Sequence, residues 1–141
     1  MRSLFRYAPG DVVLAGRAAG AIVGAYAQLR WRSVDAMRNW ATPHARHQGE
    51  QARLLLAFRR ASDRLPGTCL VRALALQRLL ADHGHASELR IGVARSGTGL
   101  MAHAWLVQGD RVLVGAGQEA ETFTVLASWP HTDGPSAGLF R

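Results

Sequence analysis

The chain has 141 residues, of which 48% are hydrophobic and 19% are charged, and this balance excludes a disordered chain and predicts one globular domain with a buried core. All 17 basic residues are arginines, and with 10 acidic residues they give a net charge of +7. Such a charge favours anionic partners. The arginines are spread along the chain without a nucleic-acid-binding motif, so nucleic acid is not an expected partner.

The single cysteine excludes an internal disulfide and favours a reducing compartment, so we expect a cytoplasmic protein. The apolar run from Val12 to Leu29 is rich in alanine and glycine and is interrupted by Arg17. A membrane span needs about 20 apolar residues. We therefore expect a buried or surface-docked helix without stable membrane insertion, while peripheral membrane contact stays open.

The first part of the chain, residues 1–64, is predicted to form helices that pack on the rest. One helix should run from Val12 to Arg32, and Ser33 should cap a second. A third is expected from Glu50 to Ser62. Trp31 and Trp40 are expected to pack between these helices.

The second part, residues 65–129, changes from helices to strands, and residues 130–141 form a tail. Thr68 is a good N-cap for an apolar helix from Cys69 to His83. Strands are then predicted at 88–94, 100–108 and 111–114, and residues 123–129 predict a last strand or helical turn. Helices followed by an antiparallel sheet give an α+β fold.

Cys69 stands at the start of its helix, behind Gly67 and Thr68. The positive end of the helix dipole and the unpaired backbone N–H groups there both stabilise a thiolate. The same N–H groups are able to bind an oxyanion. The position therefore suits a nucleophile, whereas the simpler interpretation is a small core residue.

A cysteine nucleophile needs a base, and the candidate is His103 in the strand sequence MAHAW. Alternation puts Met101, His103 and Trp105 on one face of that strand. A lone histidine in a strand is more often structural. A cysteine at a helix start before it and a hairpin after it favour a catalytic pair.

The segments CLVRALALQRLL, RIGV, AHAWL and RVLVGAG resemble, in order and spacing, the leader peptidases of lasso-peptide biosynthesis. The resemblance covers residues 65–126. It implies a small transglutaminase-like cysteine protease with a papain-like core, in which Cys69 is the nucleophile and His103 the base. It implies no cofactor. It also implies an acidic third residue after the hairpin.

The third residue is where this chain departs from the family pattern, since the stretch VGAGQEAE contains no aspartate. Glu119 is the nearest carboxylate to the position expected beside His103, and Glu121 is the next. Asp110 lies at the hairpin tip, about 23 Å along the strand from His103. We choose Glu119, and leave Gln118, a backbone carbonyl or a bare Cys-His dyad as alternatives.

The resemblance implies an endopeptidase that removes the leader from a ribosomally made precursor and passes the core peptide to a macrolactam synthetase. The chain has no room for a leader-recognition domain, so a separate leader-binding protein is an expected partner. The alternatives are an inert scaffold and an acyltransferase on the same fold. His83 and His85 lack the further ligands that a metal site needs. Arg72, one turn after Cys69, is either solvated or paired with an acidic residue or with the peptide substrate.

Overall fold

A computed structural model describes residues 9–47, 49–115 and 123–131. Four helices precede a four-stranded sheet in the chain. The helices are α1 (Pro9–Trp31), α2 (Val34–Ala41), α3 (Gln51–Arg64) and α4 (Cys69–Asp82), and the strands are β1 (Ser87–Ser96), β2 (Gly99–Gln108), β3 (Arg111–Val114) and β4 (Thr124–His131).

Helices α2 and α4 begin where the sequence predicts caps. The Ser33 hydroxyl accepts a hydrogen bond from the backbone N–H of Ala36 at the start of α2. The Thr68 hydroxyl accepts one from the N–H of Val71 at the start of α4. Each bond satisfies a backbone donor that the helix itself leaves without an acceptor.

Helix α4 is the centre of the core. Nine of its 14 residues are buried, among them Leu74, Leu76 and Leu80. Burying each leucine contributes roughly 1.5–3 kcal/mol, so this helix is held by packing on several sides. His83 is the C-cap of the helix, and Gly84 then turns the chain with a φ of 79°.

The sheet is antiparallel, with the strand order β3-β2-β1-β4. Glycines with positive φ make the two hairpin turns, Gly97 between β1 and β2 and Gly109 between β2 and β3. The fourth strand is formed by residues 124–131, so Pro130 belongs to a strand. Helices on one side of an antiparallel sheet confirm the α+β class.

The two faces of the sheet carry different clusters. Ala104 and Leu106 of β2 belong to the main core, which also contains the buried residues of α1 to α4. Trp105 and Val107 form a second cluster with Phe123. Because successive side chains of a strand point to opposite faces, the second cluster lies on the side of the sheet away from α4.

Helix α1 differs from the expectation in one respect. It packs on α3 and α4, and Leu14, Ala18 and Ile22 are buried there. Trp31 at its end does not pack between helices, since 87% of the residue is exposed. Trp40 does pack, with the Arg78 guanidinium 4.5 Å above the centre of its ring.

Candidate functional site

Cys69 is the first residue of α4 and is half-buried at the edge of the core. The chain is tightly packed just before the helix begins. A Cβ at Gly67 would lie 3.2 Å from a methyl group of Val71. The Thr68 hydroxyl accepts a hydrogen bond from the N–H of Val71. An N–H at the start of a helix has no acceptor within the helix, so the amide of Cys69 is available to an oxyanion beside the thiol.

His103 lies in the middle of β2, opposite Gly92 of β1. Its ring stacks on Phe123 with 5.3 Å between ring centres and on Trp105 with 6.3 Å. These contacts place the imidazole with the second cluster and fix its plane. A Cβ at Gly92 would come within 2.9 Å of the Trp105 ring, so the glycine provides the space that this ring occupies.

The Nε2 atom of His103 is hydrogen-bonded to the backbone carbonyl of Gly115. A carbonyl only accepts hydrogen bonds, so Nε2 carries the hydrogen of the neutral ring and Nδ1 keeps the lone pair. The bond orients the imidazole and fixes its tautomer. Nδ1 is therefore the nitrogen that is able to act as a base.

Gly115 is required by this arrangement. Its φ is 105°, and a Cβ there would lie 2.5 Å from the carbonyl oxygen of Ala104 and 2.8 Å from the Cα of Trp105. This residue was not among those predicted from the sequence. The one sign of it in the sequence is a glycine directly after the short strand β3.

The side chains predicted as the third member of the catalytic site, beside Cys69 and His103, fall in two parts of the chain. Glu119, Glu121 and Gln118 fall in residues 116–122, which lie outside the described residues. Asp110 lies in the β2–β3 turn, beyond the end of β2 and about 23 Å along the strand direction from His103. Within the described ranges, the group that meets the imidazole nitrogen is a backbone carbonyl, one of the alternatives that the sequence left open.

The chain connectivity indicates that Cys69 and His103 lie toward the same end of the domain. A buried hydrogen bond of 3.0 Å joins the Gln77 side chain to the carbonyl of Trp129, which is level with Leu106 across the sheet. From the level of Gln77, Cys69 lies about 12 Å toward the N-terminus of α4. His103 is about 10 Å back along β2, which runs in the same direction because two reversals separate it from α4.

The thiol and the imidazole are not hydrogen-bonded to each other in the part of the chain that the structure describes. Cys69 packs at the edge of the main core, whereas His103 stands with the second cluster on the other face of the sheet. Cys69 and His103 are therefore similar in height along the sheet, but they face different sides of it.

Arg72 lies one turn after Cys69, and its Nε is buried without a hydrogen-bond partner among the described residues. A buried donor without an acceptor costs about 1–3 kcal/mol. Arg72 is therefore not a fully solvated arginine, as the simplest interpretation of it would have it.

The histidines at the end of α4 have structural contacts. His83 is buried, and its Nδ1 donates to the carbonyl of Leu79 while its Nε2 accepts from Arg17 at 3.1 Å. Burial lowers the pKa of His83 below its ordinary value of 6.5, and the charge of Arg17 acts in the same direction. His85 donates to the carbonyl of Gly49. No group of three or more ligands suited to a metal ion occurs among the residues described.

A family model described as the transglutaminase-like superfamily matches residues 14–128 of the chain. No curated protein and no solved structure matches the chain.

Proposed function

Because the chain belongs to the transglutaminase-like superfamily, we propose that it is a cysteine endopeptidase that removes the leader from a lasso-peptide precursor. The observation that supports the proposal best is the presence of two prepared groups in one small domain. One is a thiol that begins a buried helix, and the other is an imidazole whose Nε2 is held by Gly115.

The proposed chemistry uses these two groups as nucleophile and base. Nδ1 of His103 accepts the proton of the Cys69 thiol, and the sulfur attacks the scissile carbonyl carbon. The oxyanion of the tetrahedral intermediate is bound by the N–H of Cys69. The imidazolium then gives its proton to the leaving nitrogen as the C–N bond breaks. Water, deprotonated by the same Nδ1, hydrolyses the thioester and restores the thiol.

Proton transfer requires Sγ and Nδ1 to come within hydrogen-bond distance, roughly 3–3.5 Å. We propose that this contact forms when the peptide and its carrier bind, through a movement at the start of α4. Catalytic hydrogen bonds are often longer in the free enzyme than in the complex. Glu119 remains the proposed carboxylate, acting on the imidazole alongside the Gly115 carbonyl.

A groove between α3 and the edge strand β3 supports a peptide as substrate. Leu55 and Phe58 of α3 and Leu113 of β3 line it, with Arg59 and Arg111 among the lining residues. An extended peptide binds such an edge through its backbone. The strand ends at Val114, directly before the glycine that holds His103.

The proposed partners follow from the same activity. A separate protein presents the leader, and a macrolactam synthetase takes the released core peptide. A tethered substrate reaches an effective concentration of about millimolar, so the partner should accelerate cleavage most at low precursor concentration. We propose the cytoplasm as the compartment, because the lone thiol must stay reduced.

The test is to mix the protein with the precursor and the leader-binding protein encoded beside it and to weigh the products. Cys69→Ala and His103→Ala should each abolish leader removal while the fold is kept. His44→Ala, at an exposed loop histidine, is the control and should leave the rate unchanged. Near-normal cleavage by Cys69→Ala would refute the proposal.

The separation of thiol and imidazole favours a second candidate, a non-catalytic scaffold in which Cys69 is a packing residue. Iodoacetamide distinguishes the two. A protease thiol should be alkylated near neutral pH faster than a free model thiol, and His103→Ala should slow that reaction. Slow alkylation that is indifferent to His103 would assign the scaffold. A product that carries an added amine in place of water would assign an acyltransferase.

A further inference from the structure

The outward face of α1 is apolar along most of its length. Between residues 12 and 27, each exposed position of the helix holds valine, alanine, glycine or tyrosine. The largest of these side chains belong to Val12, Val13, Val23 and Tyr26, which are 48–62% exposed. A helix on the surface of a globular domain normally presents charges to water, so this face is unusual.

Helix α3, which packs beside α1, shows the normal pattern. Its exposed positions include Arg53, Arg59, Asp63 and Arg64. The contrast is also seen in composition, since residues Gly10–Trp31 form the one helix of the described chain that is long and apolar enough to cross a membrane, with a mean hydropathy of 1.4. Its inner face packs on the core, so the helix stays attached to the domain and offers only its outer face.

Aromatic and basic residues flank this face. Trp31 is 87% exposed and stands between the exposed Arg30 and Arg32. Along the side of α1, an apolar groove shared with α3 is lined by Val12 and Ala15 and bordered by Arg64. An apolar stripe with a tryptophan at one end and arginines around it matches the pattern of helices that lie in a membrane interface.

We propose that the outward face of α1 docks the domain on an anionic lipid surface. The valines enter the boundary between headgroups and acyl chains, Trp31 lies at headgroup depth, and Arg30, Arg32 and Arg64 meet the lipid phosphates. The net charge of +7 favours this partner and opposes a second copy of the chain, which would carry the same charge. The proposal does not depend on the peptidase activity.

The experiment is co-sedimentation of the full chain with vesicles. One set contains phosphatidylcholine with about one quarter phosphatidylglycerol, and the other contains phosphatidylcholine alone. We expect clear binding to the first set, weakened by salt because the arginine contacts are screened. Equal binding to both sets, or binding to neither, would overturn the proposal.

A matched pair of variants locates the surface. Val23→Glu places a carboxylate on the outward face of α1, where the valine is 55% exposed, and should weaken vesicle binding roughly tenfold. Val125→Glu makes the same change on β4, where the valine is 46% exposed, and should bind as the unchanged protein does. Equal losses in the two variants would reduce the effect to net charge and refute the assignment to α1.

Fluorescence gives a second readout. Vesicles should shift the tryptophan emission to the blue, and Trp31→Phe should remove that shift while circular dichroism shows the same fold. Light scattering of the protein without lipid tests the alternative that a second copy of the chain covers this face. A dimer in solution that Val23→Glu dissociates would show that the face binds a second copy, and the lipid proposal would fail.

Discussion

Gly115→Ala is the most informative single substitution in this chain, because two effects at that position are separable. The backbone there has a φ of 105°, which costs an alanine about 1–2 kcal/mol. The new Cβ would also lie 2.5 Å from the carbonyl oxygen of Ala104, a distance at which the backbone must move. Displacement of that kind adds about 1–3 kcal/mol. We therefore expect a loss of stability of about 2–5 kcal/mol.

Gly97→Ala is the control for the first effect. Gly97 has a φ of 61° in the β1–β2 turn, and nothing lies within 4 Å of a Cβ built there. This variant should lose only the conformational cost, about 1–2 kcal/mol. Urea unfolding of both variants measures the difference. A Gly115→Ala protein no less stable than Gly97→Ala would show that the tight approach of β2 to Gly115 is wrong.

The same substitution tests the orientation of the base. Moving the Gly115 carbonyl removes the acceptor of the His103 Nε2 hydrogen, so the ring should become a mixture of tautomers. Nitrogen NMR of labelled histidine reports which ring nitrogen carries the hydrogen. Leader removal should also fall, roughly tenfold to a hundredfold. An unchanged Nε2–H signal in Gly115→Ala would refute the argument, whatever happens to stability.

Three further predictions concern other residues. Thr68→Ala removes the cap of α4 and should lower the free energy of unfolding by about 1 kcal/mol, measured in urea. Because the pKa of His83 is lowered in the folded chain, the unfolded chain binds more protons below pH 6.5, so stability should fall as the pH drops from about 7 toward 5. Unfolding across that range should show a flatter dependence in His83→Gln, and an unchanged slope would contradict the assignment. Glu119→Gln should lower kcat/KM for the precursor more than Asp110→Asn does, since Asp110 stands at the far hairpin tip. The loss should be smaller than the loss in Gly115→Ala. A larger loss in Asp110→Asn than in Glu119→Gln would refute this order.

The parts of the fold that depend on apolar periodicity and caps were predictable from sequence. Helix α4 begins at Cys69 behind its Thr68 cap as expected, and β2 covers the predicted strand with one added residue. Strand alternation also indicated that His103 and Trp105 share a face, and their rings are stacked. Each of these features is set by neighbours along the chain, which the sequence displays directly.

The contact between His103 and Gly115 was not predictable in the same way. It depends on a register shift in the β2–β3 pairing between Leu106 and Val107, which changes the residue that stands opposite the histidine. It also depends on a backbone atom, and backbone carbonyls are the same in every residue. The family pattern has a carboxylate as the third residue, so Glu119 was the prediction. The predicted packing of Trp31 between helices was wrong for a different reason, because composition does not show which face of an apolar helix remains uncovered.

A carbonyl in place of a carboxylate changes what the imidazole is able to do. Both acceptors hold Nε2–H and select the neutral tautomer with a free Nδ1. A carboxylate also stabilises the imidazolium by its negative charge, whereas a carbonyl contributes only a dipole. The Gly115 carbonyl therefore orients the ring and, in the proposed mechanism, leaves Nδ1 to act as the base. It supplies no charge that would hold the ring to the thiol before a peptide arrives, and this makes the proposed need for a partner a consequence of the site.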